Sequence, residues 1–207
     1  RIYVLAADNG VVAEGVSSAP QSVTRAQAIN LTRGLTGASC LAKHFHDGLT
    51  VVDMGIALPY TCPEILDRSL GKGTANIAVG PAMPRPAAVQ GILTGMALAA
   101  QAKRDGIGML GVGEMGIGNT TTSSAILAAL SGSDVESVTG RGGGVTDAAF
   151  LKKKQVIAQA LSVNRPDKDN PVDVLSKVGG FDLCAMTGVV SQQVFMRKKV
   201  CQQPKLS

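Results

Sequence analysis

A run of glycine and threonine residues in the middle of the chain offers the clearest chemistry. Residues 111–122 read GVGEMGIGNTTT, after the apolar segment 107–110 and before a segment rich in Ala and Leu. Glycines let backbone N–H groups approach a phosphate closely, threonine hydroxyls add donors, and a helix start adds unpaired N–H groups with the positive end of the helix dipole. The run therefore predicts an anion-binding site. A glycine turn that only allows a strand to pack closely on a helix remains the alternative.

Two familiar nucleotide-binding patterns overlap in this run, and each lacks one of its defining residues. Residues 111–116 have the G-x-G-x-x-G spacing of dinucleotide-binding folds, but the acid expected about 20 residues later is Asp134, which follows no evident strand. Residues 113–120 have P-loop spacing, with Asn119 where a lysine should neutralise the β- and γ-phosphates. Nicotinamide dinucleotide binding is therefore disfavoured, and a degenerate P-loop nucleotide hydrolase remains an alternative function.

Glu114 is the one carboxylate inside the run. If it is buried beside a ligand, loss of solvation raises its pKa toward the range of a general base. The alternative is a carboxylate that only accepts hydrogen bonds from backbone N–H groups or ribose hydroxyls. The sequence leaves both roles open.

A second glycine loop, GRGGG at 140–144, leads into a predicted helix that carries Lys152, Lys153 and Lys154. One of these lysines could reach a phosphate. Consecutive helical residues point about 100° apart, so the others are expected on a solvated basic face.

No metal site is expected from the sequence. Cys40, His44 and His46 cluster on a predicted helix, but the two histidines lie on different faces. The four cysteines form no C-x-x-C pair, so neither a zinc ribbon nor a disulfide framework is indicated. A reducing, cytoplasmic location fits this cysteine usage best.

The composition is that of a globular protein. The chain has 207 residues, of which 45% are hydrophobic and 17% charged, and no apolar run approaches the roughly 20 residues that cross a bilayer. The net charge of +5 is concentrated in residues 197–207, so residues 1–196 carry only +1. Nucleic-acid binding is therefore not expected, and the basic end is interpreted as a solvated tail.

Short apolar runs alternate with segments of helical period along the chain. This alternation predicts an α/β fold: a parallel sheet with helices on both faces, in a Rossmann-like three-layer arrangement. The predicted strands are 2–7, 49–54 and 107–112, and the predicted helices are 23–35, 86–103, 120–130, 146–161 (with Thr146 or Asp147 as N-cap) and 172–178. Ligands in such sheets bind at the carboxyl ends of the strands, so residues 8–10, 53–55 and 111 onward are where a site is expected.

Four stretches, in the same order along the chain, resemble the nicotinate-nucleotide:dimethylbenzimidazole phosphoribosyltransferase family of cobalamin lower-ligand assembly. They are ADNGV with EGVS (7–17), GTANIAVGPAM (73–83), the glycine run, and LSKVGGFD (175–182). The resemblance implies transfer of the phosphoribosyl group of nicotinate mononucleotide to 5,6-dimethylbenzimidazole, with nicotinate and α-ribazole 5'-phosphate as products. It also implies a homodimer without cofactor or metal.

The resemblance assigns roles to individual residues. Those implied to hold the nucleotide are Gly113, Glu114, Met115, Gly116, Asn119, Thr120, Thr121, Gly142 and Lys153. Lys153 corresponds to the lysine on the phosphate side, and Gln27 corresponds to a residue that lines the base pocket. With the family's usual base missing, Glu114 is the candidate catalytic carboxylate.

The sequence departs from the family pattern in three places. Asn9 stands where the family usually has His, and Ala19 where some members have Ser. After residue 190 the likeness is lost, and the family's later catalytic glutamate has no counterpart. We therefore expect a phosphoribosyltransferase α/β domain at 1–190 and a basic non-family tail at 191–207, in a sequence truncated at both ends with a fold incomplete at its C-terminus. A catalytically reduced binding or partner subunit of the same fold remains an alternative.

Overall fold

The protein is described by a computed structural model that covers residues 1–201, with the side chains of residues 1–193. Within this range a four-stranded sheet has the order β3-β2-β1-β4, and all three neighbouring pairs are parallel. The strands are β1 (Ile2–Ala7), β2 (Leu49–Gly55), β3 (Leu66–Asp67) and β4 (Gly111–Met115). The predicted parallel sheet is confirmed, and β3 is too short to give a sequence signal.

Eight α-helices occur within residues 1–201. They are α1 (Ser22–Thr32), α2 (Gly37–His44), α3 (Arg85–Arg104), α4 (Asn119–Ser131), α5 (Val135–Val138), α6 (Asp147–Asn164), α7 (Pro171–Val178) and α8 (Phe181–Cys201), and a 3-10 helix (Gly10–Glu14) follows β1. The five helices predicted with bounds are confirmed, and Thr146 caps α6 by accepting from the Ala149 amide at 3.2 Å. The helix predicted around Cys40 and His44 is α2, but it ends before His46. No helix in the described part of the chain is long and apolar enough to cross a membrane.

Helix α8 was not predicted, and it runs through residue 190, where the sequence suggested a domain boundary. The side chains of the predicted basic cluster at 197–199 lie outside the described residues. The division at 190 therefore stays a prediction.

Helices cover both faces of the sheet, as predicted. Successive strand residues point to opposite faces, and β1 follows this rule: Tyr3 and Leu5 join one core with α3, α4, α6, α7 and α8, whereas Val4 and Ala6 join a second core with α1. We call these the α3–α8 core and the α1 core. A strand buried on both sides must be apolar throughout, which is why residues 2–7 carry no polar alternation.

Strand β4 begins four residues later than the predicted strand. It pairs in register with β1, from Ile2 opposite Gly111 to Ala6 opposite Met115. The apolar residues Ile107 and Leu110 instead lie in a loop and pack against the α3–α8 core. A short apolar run does not distinguish a strand from a buried loop. The first five residues of the glycine run are therefore strand, and the turn into α4 is only residues 116–118.

Candidate active site

The turn from β4 into α4 packs directly on the end of β1. A Cβ on Gly116 would lie 2.0 Å from the carbonyl oxygen of Ala7, and Gly118 has φ +93° with a Cβ position 2.9 Å from a methyl group of Val12. Any larger residue at either position would clash. These glycines bring the start of α4 to the carboxyl end of the sheet, where ligands bind in parallel α/β folds.

Lys153 is the lysine of the three that turns inward. It is 1% exposed, and its Nζ donates to the Thr120 Oγ1 and to the Gly140 carbonyl oxygen, each at 2.8 Å. Lys154 instead pairs with Glu136, and Lys152 is exposed. Among the described residues no carboxylate lies within ion-pair distance of Lys153. Burial lowers the pKa of Lys153, because the ammonium has lost water without gaining a counter-charge.

The second glycine loop closes over this lysine. Gly142 has φ +72°, and its Cβ position lies 2.9 Å from the Thr120 Oγ1 and 3.6 Å from the Lys153 Nζ. The Ser18 hydroxyl donates to the Gly143 carbonyl oxygen at 2.7 Å, which ties the loop to the segment that follows β1. The two glycine-rich regions of the sequence therefore meet at one buried cation.

Glu114 connects to the same cluster through Asn119. The Asn119 Nδ2 donates to the Glu114 carboxylate, and the Asn119 Oδ1 accepts from the Thr120 amide at 2.7 Å. A hydrogen-bonded chain thus runs from Glu114 through Asn119 and Thr120 to Lys153, with opposite charges at its ends. Burial raises the pKa of Glu114, and the Asn119 hydrogen bond opposes this rise.

Several amides in and after the turn already have acceptors. The Ile117 amide donates to the Thr24 Oγ1 at 3.0 Å, and the Asn119 and Thr121 amides donate to carbonyl oxygens of the turn. Thr121 is buried, and within the described residues its Oγ1 has no partner. The backbone cradle predicted from the sequence is therefore partly occupied by internal hydrogen bonds, and the Thr121 hydroxyl is a side-chain group open to a ligand.

A cavity of about 410 Å³ lies beside β4, on the face of the α1 core. Its lining includes Gln27 from α1 and the predicted ligand residues Gly113, Glu114 and Met115. Met115 packs against the α1 core and Val112 against the α3–α8 core, so strand alternation turns the Glu114 side chain away from this cavity, toward α8. Gln27 and the Glu114 carboxylate therefore flank β4 from opposite faces.

Three buried acids lie at the same end of the sheet, and sequence reasoning singled out the strand ends that contain Asp8 and Asp53 but missed Asp182. Asp53 accepts from the Gly55 and Ile56 amides at 2.8 Å and from the Tyr60 hydroxyl at 2.7 Å. Asp8 accepts from the Ala57 amide at 2.8 Å, and burial raises its pKa. The fully buried acid Asp182 lies at the start of α8. The signal for Asp8 and Asp53 was available, because both occupy predicted strand ends.

The residues Cys40, His44 and His46 are spread along the surface around α2. Cys40 is exposed, His44 ends the helix, and His46 lies beyond it with φ +57°. In the described part of the chain no three His, Cys, Asp or Glu residues are grouped as metal ligands would be.

Comparison with known proteins links this geometry to one group of enzymes. A family model described as "Phosphoribosyltransferase" matches residues 1–201. The nicotinate-nucleotide–dimethylbenzimidazole phosphoribosyltransferase of Geobacter metallireducens is 50% identical over 190 residues, which cover 91% of this chain and 54% of that protein. Its counterpart in Ruminiclostridium cellulolyticum is 45% identical over 188 residues, covering 91% of this chain and 53% of that protein.

Solved structures give the same match. The crystal structure of CobT from Thermus thermophilus superposes with a TM-score of 0.88 at 39% identity, covering 94% of this chain and 59% of that chain. The chain spans about half the length of the curated relatives it matches.

Proposed function

We propose that this chain, which belongs to the nicotinate-nucleotide:dimethylbenzimidazole phosphoribosyltransferase family, binds nicotinate mononucleotide and transfers its phosphoribosyl group to 5,6-dimethylbenzimidazole. The products are α-ribazole 5'-phosphate and nicotinate, in the assembly of the lower ligand of cobalamin. The residues that carry the reaction lie at the carboxyl ends of β1 and β4.

The observation that carries the proposal is the buried ammonium of Lys153, which has no carboxylate partner among the described residues. A charge taken out of water is costly unless a counter-charge compensates for it. Two of the three Lys153 N–H donors are used by Thr120 and Gly140, and the third is available for an anion. A phosphate monoester placed there would also lie beside the Thr120 hydroxyl, and Gly142, which has no side chain, leaves room for its oxygens.

Besides binding the phosphate, the site must stabilise positive charge on the ribose and accept a proton from the benzimidazole. A benzimidazole nitrogen attacks the ribose C1', the bond from C1' to the nicotinate nitrogen breaks, and its electron pair goes to the departing ring. Positive charge develops on the ribose as the bonds exchange, so a carboxylate nearby stabilises that state. Glu114 supplies this charge and accepts the proton that the benzimidazole releases.

The cavity that contains Gln27 suits the acceptor base. Benzimidazole is an apolar ring system apart from its two nitrogens, and the cavity is largely apolar with a polar residue at one side. Because the cavity and the Glu114 carboxylate flank β4 from opposite faces, the proposal requires the acceptor base to bind across the carboxyl end of this strand.

Ligand-induced thermal stabilisation tests the proposal. A ligand that binds only the folded state stabilises it by about 2.7 kcal/mol at a hundred times its Kd, so nicotinate mononucleotide should raise Tm. Stabilisation by ATP with Mg²⁺ but not by nicotinate mononucleotide would favour a nucleotide hydrolase instead. A third outcome is that nicotinate mononucleotide raises Tm but no nicotinate is released after 5,6-dimethylbenzimidazole is added. This outcome would reject the transfer reaction and indicate a binding subunit.

The proposal includes a cytoplasmic homodimer that binds neither nucleic acid nor membrane. Family resemblance supports the dimer, and so do exposed apolar side chains around α2, where Leu41 is 60% and Phe45 67% exposed. Light scattering of the purified chain measures its oligomeric state directly, and a monomer at all accessible concentrations would reject this part.

A further inference from the structure

Asp182 is a buried acid to which the proposed reaction gives no role. It lies at the start of α8 with 0% of its surface exposed. Its Oδ1 accepts from the Leu183 amide at 2.9 Å, and within the described residues its Oδ2 has no hydrogen-bond partner. A buried carboxylate oxygen without a donor is unfavourable, because it has lost water and gained nothing in exchange.

Asn9 connects this acid to the proposed active site. A Cβ on Gly180 would lie 2.2 Å from the Asp182 Oδ1 and 2.8 Å from the Asn9 Oδ1, so the carboxyl and the amide meet at this glycine. The Asn9 Nδ2 lies 3.0 Å from the Cβ position of Gly116, in the turn after β4. Asn9 therefore fills the space between the start of α8 and the turn that follows Glu114.

Glu114 points into the same layer of the structure. It stands opposite Leu5 in the register of β1 and β4, and Leu5 belongs to the α3–α8 core. Neither Glu114 nor Asp182 forms an ion pair among the described residues. A fully buried carboxylate beside a partly buried one, without a cation, is strongly disfavoured if both are charged.

Of the groups around Asp182, Glu114 is the one whose charge affects its protonation. Among the described residues, Glu114 on β4 is the charged group that acts on Asp182. Asp182 in turn affects Cys184 on α8. Burial, and after it the charge of Asp182, raise the pKa of the Cys184 thiol to about 12, so the thiol stays neutral. Asn9, which follows β1 and lies beside Asp182 at Gly180, does not titrate. Burial and, after it, the charge of Glu114 raise the pKa of Asp182 to about 7.

We propose that Asp182 is a positioning residue for Glu114, and that the two carboxyls share one negative charge in the ligand-free protein, with Glu114 charged and Asp182 protonated. The charge belongs on Glu114, because Glu114 is only partly buried and accepts from the Asn119 side chain, whereas Asp182 is fully buried. Protonation gives Asp182 an O–H group, and the Asn9 Oδ1, which lies beside Gly180 together with the Asp182 carboxyl, is an acceptor in this region. The catalytic meaning of this arrangement rests on the proposed function: a neutral Asp182 keeps Glu114 ionised and able to accept a proton.

Carboxyl ¹³C NMR of the ligand-free protein, titrated from pH 3 to 9, tests this directly. In the wild type the pair should titrate in two steps, the upper one near pH 7 and mainly on Asp182. Glu114→Gln should shift the Asp182 step to lower pH, because the neighbouring charge is gone. Asp182→Asn should abolish the upper step and leave the Glu114 step nearly in place, because Glu114 titrates while Asp182 is still neutral.

Asp8→Asn is the matched control, since Asp8, like Asp182, is a fully buried acid whose pKa is raised mainly by burial. The charged neighbour of Asp8 is Asp53 and not Glu114. It should leave the Asp182 step unchanged. An Asp182 step at the same pH in Glu114→Gln as in the wild type would overturn the proposal, and so would titration of Asp182 near pH 4. If Asp182→Asn does not fold, Glu114→Gln still decides. No ligand is present, so the outcome is independent of whether nicotinate mononucleotide binds.

Discussion

The Nζ of Lys153 lies 2.8 Å from the Oγ1 of Thr120, and this hydrogen bond joins helix α6 to the first turn of α4. The two glycine-rich regions are about 30 residues apart in sequence, and this contact is where they meet. A buried ammonium held by neutral oxygens alone is a site prepared for an anion.

Replacing Lys153 by Met should remove phosphate binding while keeping the fold. Met occupies similar space without charge, and a hydrogen bond to a charged group contributes about 1.5–3 kcal/mol, so nicotinate mononucleotide should bind about 10- to 100-fold more weakly. Isothermal titration calorimetry measures this change. Lys152→Met on the exposed neighbour is the control and should bind as the wild type does. Equal affinity in both variants would contradict a phosphate site at Lys153.

Replacing Glu114 by Gln should separate catalysis from binding. The amide keeps the shape and can still bond to Asn119, but it cannot accept a proton, so kcat should fall by about a hundredfold or more. The affinity for nicotinate mononucleotide should change little. A loss of affinity equal to the loss of kcat would instead assign Glu114 to holding the ribose, the other role that the sequence left open.

The sequence predicted most of the fold, because periodicity and apolar runs report burial on one or two faces. It placed β4 wrongly at its start, since a strand such as GVGEM has few side chains whose alternation could be recognised. The proximity of Asp182 to Glu114 was not predictable, because it depends on α8 packing against β4, nearly 70 residues away in sequence. Three consecutive lysines also did not reveal which one turns inward; only the family resemblance pointed to Lys153.

Gly116 should be indispensable for stability, whereas Gly113 should not. A methyl group at 116 would lie 2.0 Å from the Ala7 carbonyl oxygen, a backbone atom that cannot move aside, whereas nothing lies within 4 Å of a Cβ at 113. We expect Gly116→Ala to lower the free energy of unfolding by about 3 kcal/mol or more. Gly113→Ala should change it by less than about 1 kcal/mol. Urea denaturation of both variants measures the difference, and similar losses would mean that the turn does not pack on β1 as described.

Asp182 should also affect how the free energy of unfolding depends on pH. Its pKa is about 7 in the folded protein and 3.8 in the reference state, so between these values the folded state binds more protons than the unfolded state. The contribution of Asp182 to the free energy of unfolding is then most favourable near pH 4, and it declines as the pH rises to 7, above which it is constant.

Other acids, such as Asp173, have lowered pKa values and act in the opposite direction, so the informative quantity is the difference between wild type and Asp182→Asn. Asn stays neutral throughout, and urea denaturation across this range should show the wild type losing stability relative to the variant as the pH approaches 7. A difference that does not vary with pH would mean that Asp182 keeps the same charge in the folded and unfolded states.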